Sequence, residues 1–244
     1  MSVKSILFNT EMVKAVLDGR KTQTRRIIKP QPLFFTGRHY VFDDETCPKK
    51  WEDCDNFIAT APFQTGDVLY VRETWRALEA GYPPRNSVIE YRAGGTQKFD
   101  DIVAIPTEKG EWKPSIFMPK SVARIFLRVN DVRVERLHAM KLDDIEKEGI
   151  DDVKPDEESD FLCNYCPLDE GTKGVHCYGG EPIMCEGAKC EDAMEAWVGE
   201  YTGEFAKVWD STMPKRDIEK YGWEVNPFVW VIEFEKISKE EAIR

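Results

Sequence analysis

With 244 residues the chain has room for one domain with insertions or for two smaller units. Its 41% apolar content and seven tryptophans supply the volume of a packed core, which excludes a globally disordered protein. Forty-five acidic against 34 basic residues leave a net charge of −11, so most of the surface repels a long polyanion and any nucleic-acid contact has to be local. No run reaches the ~18 to 20 apolar residues that a membrane helix needs, and the apolar run in the opening MSVKSILFNTEMVK is too short for a signal peptide. We therefore expect a cytoplasmic protein that stays out of the membrane.

Ser5–Phe8 (SILF) reads as a strand, followed by a helix from about Thr10 whose Met12, Val13, Val16 and Leu17 recur at helical spacing and which Gly19 stops. From Arg20 to Lys29 there are five basic residues (Arg20, Lys21, Arg25, Arg26 and Lys29) and no acidic one. A solvated basic face is the plain reading of such a run. The segment continues as an extended strand, Thr22–Ile28, until Pro30 interrupts it. Residues 30–65, punctuated by Pro30, Pro32, Gly37, Pro48 and Pro62, read as a long loop.

Thr65-Gly66-Asp67 then launches the strand VLYVRETW. Val68, Tyr70, Arg72 and Thr74 lie on one face and Leu69, Val71, Glu73 and Trp75 on the other. Ser87–Tyr91 and Val122–Leu137 are further strands, the second either bending around a barrel or turning at Asn130-Asp131. Leu142–Gly149 is a short helix. Trp197, Tyr201, Phe205 and Trp209 recur every fourth residue, which predicts an amphipathic helix with a core-facing aromatic stripe. Pro227–Ile237 alternates as a closing strand, and Ser238–Arg244 reads as a polar tail. Short strands with few helices predict an α+β domain whose sheet closes into a barrel. Residues 1–150 and 191–237 form that domain, 151–190 a cysteine-rich insert and 238–244 the tail.

Seven cysteines, an odd number, are poor candidates for structural disulfides in a reducing compartment. Cys163 and Cys166 form a C-x2-C knuckle, and Cys185 and Cys190 follow after eighteen residues with four between them, a spacing that suits tetrahedral zinc. An insert this poor in apolar residues benefits from a metal staple. His176 and Cys177 are alternative ligands, with free thiols or an iron–sulfur cluster as competing readings. Cys47 and Cys54 carry no such signal.

Four segments in order, AVLDGRKTQTRR (Ala15–Arg26), TGDVLYVRETW (Thr65–Trp75), LDDIEKEGI (Leu142–Ile150) and FVWVIEFEKI (Phe228–Ile237), resemble the ASCH domain family, above all its longer versions from phage and prophage genomes. The resemblance implies a PUA-like β-barrel with flanking helices and a cleft beside the first helix that meets RNA or a nucleotide. One bacterial branch hydrolyses the amide of N4-acetylcytidine with a Lys and a Thr of the GRKTxT segment and a Glu of the later helix. Those roles carry over to Lys21, Thr24 and Glu148, with Glu146 close by; here Arg25 stands where the small enzymes have an apolar residue.

On chemical grounds a lysine acts as a base only when burial or neighbouring cations lower its pKa. Odd spacing sets Lys21 and Thr24 on opposite faces of a strand unless the strand bulges or begins after Lys21. In RETW, Glu73 and Trp75 share a face on which a carboxylate and an indole could read and stack a base, with Arg72 beside them. The competing reading puts Trp75 in the core.

Three functions follow. The first is an RNA- or nucleotide-binding protein with Arg20, Lys21, Arg25 and Arg26 on phosphate and Arg72, Glu73 and Trp75 at the base. The second is an amidohydrolase of N4-acylated cytidine or a related modified nucleoside using Lys21, Thr24 and Glu148. The third is a phage accessory protein that acts through protein contacts on its acidic surface.

Overall fold

The computed structural model describes residues 3–35, 40–42, 57–80, 87–99, 110–150 and 202–243. Its first strand, β1 (Val3–Leu7), leads into α1 (Thr10–Leu17), which starts where the Asn9 side chain accepts the Met12 amide at 2.8 Å. The helix buries Val13, Ala15 and Val16, and Gly19 ends it with φ +80°. β2 (Gln23–Ile27) follows, beginning two residues after Lys21. The region expected to be loop holds two short strands, β3 (Phe34–Phe35) and β4 (Tyr40–Val41), paired antiparallel.

The expected strand VLYVRETW is two strands. β5 (Val68–Arg72) and β6 (Trp75–Ala80) lie in different sheets, parted at Glu73-Thr74. Within β5 the faces divide as predicted, Leu69 and Val71 entering one core cluster and Val68 and Tyr70 another, but Val68 is buried as well, and beyond the break Trp75 joins the cluster of Val68 instead of that of Leu69 and Val71. β6, β7 (Ser87–Tyr91) and β8 (Thr96–Phe99) form an antiparallel three-stranded sheet. The last two long strands are β9 (Phe126–Arg136) and β10 (Phe228–Ile237). Instead of a turn at Asn130-Asp131, their pairing skips Asn130: Glu233 faces Asp131 and Phe234 faces Val129, a β-bulge that bends the strand without ending it.

The remaining helices are α2 (Leu142–Lys147), α3 (residues 202–211), α4 (Lys215–Tyr221) and α5 (Lys239–Ile243). The segment expected to be a polar tail is therefore helical, and its Ala242 packs against the core beside Phe126 and Ile237. Of the aromatic stripe, Phe205 and Trp209 are buried as expected; Trp197 and Tyr201 lie outside the described residues.

β10 organises the core because both its faces are covered. Phe228, Trp230, Ile232 and Phe234 enter an inner core with Ile6, Phe8, Val13, Leu69 and Val71, while Val229 and Val231 meet Ile145, Phe205 and Trp209 on the outer side. That explains the unbroken apolar run FVWVI, each large member of which stabilises the fold by ~1.5–3 kcal/mol.

The main sheet runs in the order β1-β5-β9-β10-β2, parallel between β1 and β5 and antiparallel elsewhere. In a flat sheet four spacings of ~4.8 Å would hold β1 and β2 roughly 19 Å apart, beyond the span of any side chain. Yet Arg26 Nη2 on β2 donates to the Leu7 carbonyl on β1 at 3.1 Å. The sheet therefore curls until its edges nearly meet, but it stays open, since among the described residues no backbone hydrogen bond joins β1 to β2. The architecture is α+β with mixed sheets, and the expected closed barrel is not seen.

Gly149 (φ +82°) sits at the foot of this seam, where a Cβ would come within 2.6 Å of Ala15 Cβ and 2.8 Å of Lys21 Cβ. Gly19 has the same backbone shape and open space around it. Gly19→Ala should cost ~1–2 kcal/mol, the strain of a left-handed alanine, whereas Gly149→Ala should cost at least ~1 kcal/mol more because α1 and Lys21 must move. Urea unfolding midpoints at unchanged slope read the difference; equal losses would show that this contact is not tight.

Candidate functional site

Because β2 begins at Gln23, Lys21 escapes the strand's alternation and lies in a corner built by three backbone hydrogen bonds. The Arg20 and Lys21 amides both donate to the Ala15 carbonyl, at 2.9 and 3.0 Å, and the Thr22 amide donates to the Lys147 carbonyl at 2.9 Å. The end of α1 is thereby fastened to the end of α2. The Lys21 side chain is buried, with 2% of the residue exposed, and its Nζ donates to Glu148 Oε2 at 2.7 Å, the Glu148 carbonyl at 2.8 Å and the Gln23 carbonyl at 2.8 Å. Three donors meet three acceptors, which is the full capacity of an ammonium group.

Burial, the largest influence, draws the Lys21 pKa below the ordinary lysine value; Glu148 pulls it back up, and Arg26 and Arg25 push it further down. Glu148 is itself shared, because its Oε1 accepts Arg25 Nη1 at 3.2 Å.

Within β2 the side chains divide by parity. Gln23, Arg25 and Ile27 stand opposite Glu233, Val231 and Val229, whereas Thr24 and Arg26 stand opposite Ile232 and Trp230, which line the inner core. On the outer side Arg25 is fully buried among acids, with Nη2 3.3 Å from Asp144 Oδ2 and 3.4 Å from Glu135 Oε2. Arg133, also opposite Val231, extends this network to Glu135 and Glu233, each at 2.6 Å. On the inner side Thr24 is buried and its Oγ1 accepts Arg26 Nη1 at 2.9 Å. Arg26, half-buried, lies 5.5 Å from the Phe8 ring centroid, and Lys21 Nζ lies 5.6 Å from the same ring. The structure thus gathers Lys21, Thr24, Arg26 and Glu148 at the seam between the two sheet edges. Lys21 Nζ sits on the carbonyl of the peptide bond that leads into Thr24.

Several expectations change. Arg25 cannot grip phosphate, because its guanidinium is enclosed and bound to three carboxylates. Lys21 is no surface cation for the same reason. Arg20 is exposed but leans on Asp18 at 3.2 Å and on the Gly149 carbonyl at 3.1 Å. Trp75 is a core side chain with 1% exposure, packed near Val68, Ile89 and Met118, so it offers no face for stacking. Glu73 is gripped in the plane by Arg124, Nε to Oε1 and Nη2 to Oε2 both at 2.8 Å, which leaves it unable to read a base. Arg124 in turn lies 4.0 Å over the Tyr91 ring. Arg72 donates to the Met118 carbonyl at 3.0 Å and to that of Ile116. Asn226 serves as a turn residue in the left-handed region, its side chain accepting the His138 amide at 2.8 Å.

Asp144, Glu135 and Arg133 were missed in the sequence. Only Asp144 left a trace there, since it precedes Glu148 by four residues and so shares its side of α2. Cys163, Cys166, Cys185 and Cys190, with the alternatives His176 and Cys177, lie outside the described residues, as do Cys47 and Cys54. Among the described residues no group of His, Cys, Asp or Glu is arranged to hold a metal, and no helix is long and apolar enough to cross a membrane.

Comparison with known proteins adds no relative: neither the family models, nor the curated proteins, nor the solved structures contain a match to this chain.

Burial raises the Asp144 pKa, but the Lys141 amide, Arg25, Gln23 and Arg133 together outweigh it and hold the carboxyl below its ordinary value. A depressed folded-state value means that the unfolded chain binds more protons in the window below ~4. Stability therefore falls as pH drops through that window. Asp144→Asn should flatten the fall between about pH 5 and 2 in denaturant titrations; an unchanged profile would remove Asp144 from the network's acid response.

Proposed function

We propose that this chain is an ASCH-type protein with a PUA-like fold, and that its seam site hydrolyses the amide of an N4-acylated cytidine or a closely related modified nucleoside. The observation that carries this reading is the enclosed contact of 2.7 Å between Lys21 Nζ and Glu148 Oε2, with the same Nζ on the Gln23 carbonyl, whose peptide bond leads into Thr24. Binding of nucleic acid through Lys21 and Arg25 is the weaker reading, because it would strip both cations from Glu148 and leave a buried carboxylate unpaired, at ~3–5 kcal/mol.

Amide hydrolysis needs a nucleophile, a proton acceptor for it and a proton donor for the leaving amine. In this proposal the Thr24 oxygen adds to the acyl carbon while its proton passes to the Lys21–Glu148 pair. Arg26, already donating to Thr24 Oγ1, favours the oxygen as it loses that proton. The C–N bond then breaks, and the cytosine amine leaves with a proton from the Lys21 ammonium. Water hydrolyses the resulting ester, giving the free acid and restoring Thr24. Lys21 keeps its proton at rest through three acceptors, which suits it to the donor role, and its lowered pKa eases the transfer. The aromatic face of Phe8 lies 5.6 Å from Lys21 Nζ and 5.5 Å from the Arg26 guanidinium.

A zinc ion held by Cys163, Cys166, Cys185 and Cys190 belongs to the proposal as a structural staple with no part in this chemistry. Metal analysis of the purified protein should find about one zinc per chain; a metal-free protein would remove it.

The test of the activity is incubation with N4-acetylcytidine and chromatography of released cytidine. Wild type should turn over, Thr24→Ala should lose at least about 100-fold, and Thr24→Ser should recover part of it. No turnover by wild type, or full activity in Thr24→Ala with native circular dichroism, would refute the reading.

A further inference from the structure

The residues expected to stack a base are buried, but the same end of the sheet carries an aromatic side chain that is not. Phe117 is 67% exposed, the most exposed large apolar residue among those described, and its neighbour Ile116 is 56% exposed. Both stand on a single turn, Ser115–Phe117, bounded by Pro114 and Pro119. Arg72 fixes that turn to β5 through its bonds to the Ile116 and Met118 carbonyls. Leu7, 46% exposed, is the β1 partner of Arg72, and the Leu7 carbonyl is where Arg26 of the seam site is bound. The chain of contacts from Thr24 to the Phe117 turn is therefore Thr24–Arg26–Leu7–Arg72–Ile116, without a gap.

Charge around the turn is opposite to that of the whole chain. Residues 112–124 contain Lys113, Lys120 and Arg124 and no acid, in a molecule of net charge −11. Glu73 behind the turn is neutralised by Arg124, and Glu111 before it is paired with Lys113 at 3.1 Å. Arg72, bonded to the carbonyls on either side of Phe117, and Lys120, three residues after it, are the basic groups that the chain brings to the turn. An exposed aromatic ring on a basic segment is the arrangement that holds a single-stranded nucleic acid, the base on the ring and the phosphates on the basic groups. A protein ligand would gain from Leu7, Ile116 and Phe117, but nothing in it needs the basic margin.

We infer that Phe117 is a base-stacking platform, flanked by Arg72 and Lys120 as phosphate contacts, which seats the nucleotide next to the modified one when the substrate is part of a single strand. The inference rests on the nucleoside reading of the seam site and extends it from a free nucleoside to a strand.

The test uses the full chain and a fluorescein-labelled, cytidine-rich single-stranded RNA hexamer, followed by anisotropy over a range of salt. Phe117→Ala and Phe117→Leu should each weaken binding at least about fivefold, and Phe117→Trp should keep it, with the new indole quenched on binding. Lys120→Gln should lower the salt slope by about one. Absence of binding in wild type, unchanged affinity in Phe117→Ala, or full affinity in Phe117→Leu would overturn the platform, the last because apolar area without a π-face would suffice. Anisotropy needs no turnover. A silent hydrolase with Phe117-dependent RNA binding would refute the catalytic reading alone, and turnover without such binding would refute the platform alone.

Discussion

One carboxylate, that of Glu148, binds two enclosed cations, Lys21 and Arg25, and the local architecture follows from keeping all three paired. An ion buried alone costs several kcal/mol, so each must be brought to the others. Lys21 comes from the exit of α1, Arg25 from β2 and Glu148 from the end of α2, segments more than 120 residues apart in part. The pairing therefore fixes where the two helix ends meet the edge strand. Gly149 permits that approach because a side chain there would strike Ala15 and Lys21. Thr24 and Arg26 then face the other way by strand parity, towards the gap between β1 and β2.

This arrangement accommodates a basic segment in a molecule of net charge −11. Half of the positive charge of the GRKTQTRR segment, that of Lys21 and Arg25, is turned inward and balanced by Glu148, Asp144 and Glu135, while Arg20 stays exposed against Asp18. What remains exposed near the seam is Arg26, partly, and the cations around the Phe117 turn. The enclosed charged groups thus lie at the start of β2, and the more exposed side chains on β5 and the 115–117 turn.

Much of the frame was legible in the sequence because it is encoded locally. The helical spacing of Met12, Val13, Val16 and Leu17, the stop at Gly19 and the extended closing strand need only neighbours in the chain, although the first half of that strand is buried on both faces instead of alternating. The convergence of Lys21 with Glu148 was legible only through resemblance, and the strand start at Gln23 is the local feature that lets Lys21 leave the alternation. The partners of Glu73 and Arg25 were not legible, since Arg124 lies 51 residues from Glu73 and Glu135 lies 110 from Arg25. Periodicity reports which face a side chain takes, not what waits there. That is why the sequence leaves Trp75 open between a nucleobase and the core, and why the break at Glu73-Thr74, which carries Trp75 into the cluster of Val68 and Met118, is not visible in the alternation. The α5 helix escapes the sequence pattern because KEEAI buries little, and at Asn130-Asp131 the sequence leaves a bend and a turn open because both use the same residue types.

The account stands on the mutual dependence of Lys21 and Glu148. A double-mutant cycle measures it directly, with Lys21→Met, Glu148→Gln and the pair compared by equilibrium unfolding. Each single change should cost ~3–5 kcal/mol by stranding a buried charge, and the double variant should recover at least ~2 kcal/mol of the summed loss. Additive losses would contradict the account, because the two side chains would then be stabilised independently of each other.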